Sequence, residues 1–135
     1  MGSGTLISIK QPGHRFKMHE FSLCQRVIGI VLNKVREMDQ DAKKLSAITL
    51  CIGQLAGVDV ESMQFWFPVA AKNTSLSGVG LKILIESARA RCVTCNNEYE
   101  VAQFYAACPQ CQSYEKDIIC GQEMLVDHIE FEMKK

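Results

Sequence analysis

Cys92-Val93-Thr94-Cys95 and Cys108-Pro109-Gln110-Cys111 are two C-x-x-C pairs separated by twelve residues. A two-residue gap lets both sulfurs of a pair turn toward one ion, and two such pairs supply the four thiolates of a tetrahedral zinc site. No position is left open for water, so a site of this kind is structural and does not hydrolyse. The segment around it needs the metal. Between residues 89 and 118 the core candidates are few: Val93, Tyr99, Val101, Phe104 and Tyr105. Small segments with so little core depend on a metal or a disulfide. Zinc-site formation supplies on the order of 10–16 kcal/mol in small peptides. A zinc ribbon is therefore expected over residues 89–120, with Cys92, Cys95, Cys108 and Cys111 as its ligands.

The regions flanking the ribbon read as one α+β unit. Cys24, Val27, Ile28, Val31, Leu32, Val35 and Met38 recur at three- and four-residue spacing, which predicts a helix over residues 20–38. Ile48, Leu50 and Ile52 alternate with Ala47, Thr49 and Cys51 as in a strand, and Gly53 and Gly57 bracket its end. Residues 61–73 suit a second helix with Met63, Phe67 and Ala70 on one face and Trp66 beside them. Pro68 conflicts with that assignment, because an interior proline removes a hydrogen bond, and it argues for a later helix start. Leu81, Ile83 and Ile85 predict a second strand; Leu125, Ile129, Phe131 and Met133, alternating with His128, Glu130 and Glu132, predict a third. The expected fold is a small three-stranded sheet with two helices, interrupted by the ribbon. Residues 18–88 with 121–135 form the first unit. Residues 1–17, with three glycines, a proline and no helical period, read as a leader or tag preceding a natural start at Met18.

Composition narrows the function. The 135 residues carry fifteen basic and fifteen acidic side chains, so no bulk charge favours nucleic acid or a membrane surface. No apolar run approaches the ~20 residues that span a bilayer, and the N-terminus lacks the apolar core of an export signal. Seven cysteines, an odd number, with four in C-x-x-C pairs, suit metal binding in a reducing cytoplasm better than a disulfide framework. No nucleophile–base constellation is evident, which argues against an enzyme. Cys24, Cys51 and Cys120 are expected to be structural, His128 to be exposed or hydrogen-bonded, and Phe65, Trp66 and Phe67 to form core or a partner surface.

Met18-His19-Glu20 opens the first helix. In a chain starting at Met18, the amine, the intervening amide nitrogens and the His19 imidazole can wrap one divalent ion in a plane, a geometry suited to Ni(II) or Cu(II). From this point the chain resembles the HypA/HybF family of hydrogenase-maturation proteins. The resemblance runs through Met18-His19-Glu20-Phe21-Ser22-Leu23-Cys24, Ile52-Gly53-Gln54-Leu55, Ala90-Arg91-Cys92, both cysteine pairs, Gly121-Gln122-Glu123-Met124 and Ile129-Glu130-Phe131-Glu132, in order, over residues 18–132. It implies a nickel metallochaperone that binds Ni(II) as cargo at Met18, His19 and Glu20 and holds structural Zn(II) at the four ribbon cysteines. It further implies a HypB-type GTPase and the [NiFe]-hydrogenase large subunit as partners, urease accessory proteins in some members, and a homodimer as an open possibility. The departure is at the start: with residues 1–17 attached, Met18 offers a peptide nitrogen, a far poorer ligand than an amine. A nucleic-acid-binding zinc ribbon and an adaptor docking on a GTPase are the competing readings.

Overall fold

A computed structural model of the chain describes residues 5–7 and 18–132, with side chains from residue 20 onward. The expected leader thus lies outside the described residues except for Thr5–Ile7, and Met133 lies outside them as well. Ten elements follow in order: strand β1 (Thr5–Ile7), helix α1 (Met18–Glu37), a 3-10 turn (Ala42–Lys44), β2 (Leu45–Gly53), α2 (Val60–Ala71), β3 (Gly80–Glu86), β4 (Ala88–Cys92), β5 (Glu98–Val101), β6 (Lys116–Cys120) and β7 (Met124–Phe131).

Helix α1 forms where the apolar stripe predicts it. Leu23, Cys24, Val27, Ile28, Val31 and Val35 are buried on one face. Glu20 in the first turn and Lys34 and Arg36 in the last complement the helix dipole. The helix stops because Asp39 turns left-handed, with φ of 59°. The Gln40 N–H then reaches the Val35 carbonyl and the Asp39 N–H that of Arg36, a Schellman closure. Met38, expected as the last core position, falls at this cap and is exposed.

Helix α2 starts early. The Asp59 carboxylate caps it by accepting from the N–H groups of Glu61 and Ser62. Pro68 therefore sits inside the helix, as its ninth residue. Its missing N–H falls in the last turn, and its own carbonyl still accepts from Lys72. Burial of Met63, Phe67 and Ala71 on one face offsets the lost bond. The inward position near the end is Ala71, one residue beyond the expected Ala70.

Both helices belong to a four-stranded sheet with order β1-β7-β2-β3. The three expected strands are its core, and Thr5–Ile7 adds a short antiparallel fourth against residues 124–126. β2 runs parallel to β3 and antiparallel to β7 and is buried along most of its length. β7 is interrupted: Thr49 pairs with His128 but Leu50 with Val126, which leaves Asp127 as an extra residue. This bulge flips the inward parity. Met124 and Val126 are buried before it, and Ile129 and Phe131 pack on the core after it, so Leu125 does not share their face.

The ribbon forms a second, antiparallel sheet with order β5-β4-β6. Ala90, Cys92, Tyr99, Val101 and Cys108 make its small core. Val93, Phe104 and Tyr105, expected inside, are exposed at 54%, 53% and 72%. The sulfurs occupy the interior that larger apolar side chains fill elsewhere. The two sheets meet at Gly53, Gly121 and Ala88, where the Gly53 N–H donates to Glu123 O and the Leu55 N–H to Gly121 O, both at 2.8 Å. A Cβ on Gly53 would lie 2.2 Å from the Gly121 carbonyl carbon, so glycine is required there.

Candidate metal centre

The four ribbon sulfurs converge on one point, all within 4.8 Å of one another. Cys92 Sγ lies 3.5 Å from Cys111 Sγ, and Cys95 Sγ lies 3.7 Å from Cys108 Sγ. These separations exclude disulfides, whose S–S bond is about 2 Å. They match a tetrahedron of thiolates around zinc, where a 2.3 Å bond sets the edges at about 3.8 Å. The donor set therefore fits zinc.

Two turns of the same design position the sulfurs. In the first, the Asn96 N–H donates to Cys92 O at 2.9 Å and the Cys92 N–H to Asn97 O at 2.8 Å. In the second, the Gln112 N–H donates to Cys108 O and the Cys108 N–H to Ser113 O, each at 2.8 Å. Asn96 and Gln112, each just after the second cysteine of its pair, are left-handed with φ of 66° and 68°. Backbone N–H groups point at the sulfurs: that of Cys95 at Cys92 Sγ (3.5 Å) and that of Gln110 at Cys108 Sγ (3.3 Å). The Asn97 amide adds a 3.7 Å bond to Cys108 Sγ. Sequence reading picked out the four cysteines that the structure brings together but missed these supporting residues. Their only signal was the polar residue repeated directly after each pair.

Without a cation the sulfurs compete. Burial works to raise the Cys108 thiol, but the N–H groups of Cys111, Gln110 and Asn97 outweigh it and hold it at about 6. The Cys92 thiol is also lowered, chiefly by the Cys95 N–H. The Asn97 N–H draws Cys95 down, yet burial and the neighbouring sulfurs push it up to about 12. Four thiolates cannot share this space unless a divalent ion neutralises them. Tyr99 sits in the field of all four sulfurs, and its buried hydroxyl has no hydrogen-bond partner among the described residues.

The Met18-His19-Glu20 segment begins α1, in the other sheet's layer. The side chains of Met18 and His19 lie outside the described residues. Glu20 is buried, and its carboxylate accepts the Asp59 N–H at 3.1 Å, which ties the first turn of α1 to the cap of α2. One residue on, the Phe21 ring meets the edge of Trp66 at 5.5 Å. Trp66 in turn contacts Phe65, which is 64% exposed, while Phe67 is core. His128 is exposed between Asp127 and Glu130, at 2.9 and 3.4 Å, as a solvated histidine. Cys24 is fully buried against Met63, and burial, aided by Glu20, pushes its thiol up to about 12, so it is inert. Cys51 and Cys120 are half-buried free thiols. No helix among the described residues is long and apolar enough to cross a membrane.

Comparison with known proteins agrees with this arrangement. The HypA family profile, described as hydrogenase/urease nickel incorporation, metallochaperone, matches residues 18–131. The hydrogenase maturation factor HypA of Francisella philomiragia is 50% identical over 114 residues, which cover 84% of this chain and 99% of that protein. The factor of the same name from Chlorobaculum tepidum is 39% identical, covering 81% and 95%. Among solved structures, the Ni metallochaperone HypA from Helicobacter pylori superposes with a TM-score of 0.59 at 21% identity, covering 83% of this chain and 96% of that one. At that identity the likeness supports the fold alone. With an ordered motif set, a four-sulfur centre and a family match over most of its length, the chain belongs to the HypA family of nickel metallochaperones for hydrogenase maturation.

Proposed function

We propose that the protein carries Ni(II) at the N-terminal Met18-His19-Glu20 segment, once Met18 is the first residue, and passes it toward the [NiFe]-hydrogenase large subunit with a HypB-type GTPase in the cytoplasm. The observation that carries this reading is that the family match opens at Met18, the first residue of α1. The first four N–H groups of a helix have no partner in its ladder. The His19 and Glu20 amides are therefore available to deprotonate onto a metal, and the positive helix end favours the anions so formed. The Glu20 carboxylate is engaged with Asp59, so Glu20 contributes its backbone nitrogen. The amine of Met18 and the imidazole of His19 complete a planar nitrogen set suited to Ni(II).

The work is transfer without covalent change, and no catalytic residue is assigned. A site at a chain end is open to a partner from outside, while the Glu20–Asp59 bond and the Phe21–Trp66 contact hold its base still. Cys92, Cys95, Cys108 and Cys111 hold Zn(II) and supply the folding energy of the ribbon. Urease maturation, named in the family description, is a second destination for the same cargo.

Isothermal calorimetry with nickel on protein starting at Met18 tests the reading. We expect one nickel per chain, lost when His19→Ala is introduced and much weakened when residues 1–17 remain attached. Equal affinity in all three proteins overturns it.

A further inference from the structure

β3 is an edge strand. β2 pairs along one side of it, and no strand among the described residues meets the other. The Gln54 N–H, just past β2, donates to Glu86 O at 2.9 Å, so the main chain of Glu86 faces β2. Backbone groups alternate sides along a strand. Those of Lys82 and Leu84 therefore face β2 as well, and those of Leu81, Ile83 and Ile85 face outward. The Gln64 side-chain amide fits this parity, since it reaches Leu81 O from α2 at 3.4 Å and closes the edge there. Beyond it, the outward N–H and C=O groups of Ile83 and Ile85 form a template for another strand. The side chains along this stretch are apolar and open to solvent, Leu84 at 52% and Ile85 at 54%.

We propose that β3 pairs antiparallel with β3 of a second copy of this chain, about a two-fold axis through Leu84. Such an axis joins a surface to itself, so the strand must complement its own reverse. Lys82, Leu84 and Glu86 share one face of the sheet, beside Thr49, Cys51 and Gly53 of β2. The proposed register sets Lys82 opposite the partner's Glu86 and Glu86 opposite the partner's Lys82, with the two Leu84 side chains meeting between them. Opposite charges across a strand pair attract, whereas like charges directly opposite repel. On the other face Ile83 meets the partner's Ile85. These are the residues with outward backbone groups, so each such pair exchanges both hydrogen bonds. β3 thus matches its own reverse in charge, in side-chain type and in hydrogen-bond phase. Moving the axis by one residue sets Lys82 or Glu86 opposite Leu84 and loses the charge match. Lys82 already lies 3.5 Å from Glu130 on the same face, but both side chains are exposed, at 60% and 44%, and a surface pair of this kind holds Lys82 only loosely.

Sedimentation equilibrium of the full zinc-loaded chain at low salt is the test. The parent should show a monomer–dimer equilibrium. Lys82→Glu puts two carboxylates face to face at each end of the pairing, and Glu86→Lys puts two ammonium groups there. Each variant alone should dimerise at least tenfold more weakly than the parent. An equimolar mixture of the two restores both charge pairs in trans and should dimerise within threefold of the parent, a rescue that loss of the Lys82–Glu130 contact within one chain does not produce. Ile85→Pro removes one outward N–H and leaves the β2 ladder intact, so it should also weaken the dimer at least tenfold. In the parent, hydrogen exchange at the Ile83 and Ile85 amides should slow as protein concentration rises, while that at Leu84, which faces β2, should not change. A chain that stays monomeric at millimolar concentration overturns the proposal. A dimer indifferent to Lys82→Glu, or a mixture that does not associate, also overturns it. If Ile85→Pro does not fold, the exposed charge variants and the exchange rates of the parent decide, and equal exchange behaviour at Ile83, Leu84 and Ile85 overturns the proposal.

Discussion

Gly121→Ala measures how firmly the two sheets are locked together. Gly121 has φ of 101°, and an added Cβ would lie 2.4 Å from both Cα and Cβ of Ala88. The unfavourable backbone conformation costs a non-glycine residue about 1–2 kcal/mol. The clash is with backbone, which cannot swing aside as a long side chain would, and forced overpacking adds about 1–3 kcal/mol. The total, about 2–5 kcal/mol, is a large part of the ~5–15 kcal/mol that holds a typical domain. With a urea slope of about 1–2 kcal/mol per molar for a chain this size, the midpoint should fall by on the order of 2 M. The assay is urea unfolding of zinc-loaded protein followed by circular dichroism. Gly29→Ala is the matched control. Gly29 lies in α1, and a Cβ there meets nothing within 4 Å, so helix propensity alone should stabilise the protein by up to about 1 kcal/mol. If Gly121→Ala unfolds at the same urea concentration as the parent, the close approach of the two sheets is refuted.

Three further outcomes are expected. Inductively coupled plasma mass spectrometry should find one zinc per chain; chelation should unfold residues 88–120 while α1 persists, and Cys92→Ala should abolish zinc and weaken nickel binding through the glycine junction, so unchanged nickel affinity in that variant removes the coupling. Nickel affinity of protein starting at Met18 should fall steeply below about pH 6.5, because protons compete for the imidazole and the amine, with ordinary pKa values near ~6.5 and ~7.7–8.0; a flat calorimetric profile from pH 8 to 6 rejects the nitrogen site. The Asp127 hydrogen bond, helped by Glu130, raises the His128 pKa above its ordinary 6.5, so its stabilising contribution is complete below that value and disappears as pH rises through the folded-state value. An NMR titration should place the His128 midpoint above that of the Asp127→Asn variant, and coincident midpoints refute the pairing.

The amino-acid sequence by itself determined what depends on near neighbours. C-x-x-C spacing places two sulfurs on one turn, and the 3.6-residue stripe from Cys24 to Val35 makes one buried helix face whatever packs against it. The alternation that marks β2 as a strand was legible for the same reason. Only the tertiary structure decided the features that join distant residues. The extra residue at Asp127 is defined by β2, nearly eighty positions away, and it reverses which side chains of β7 face inward. Pro68 is tolerated because Met63 and Phe67 gain burial against the remainder of the core, a benefit invisible in local pattern. The Glu20 carboxylate finds the Asp59 N–H, 39 residues along the chain. Gly53, Gly121 and Ala88 meet only when both sheets are complete. Local covalent geometry repeats with a fixed period and can be read from spacing. Register and close approach are set by the free energy of packing surfaces that a linear pattern does not bring together.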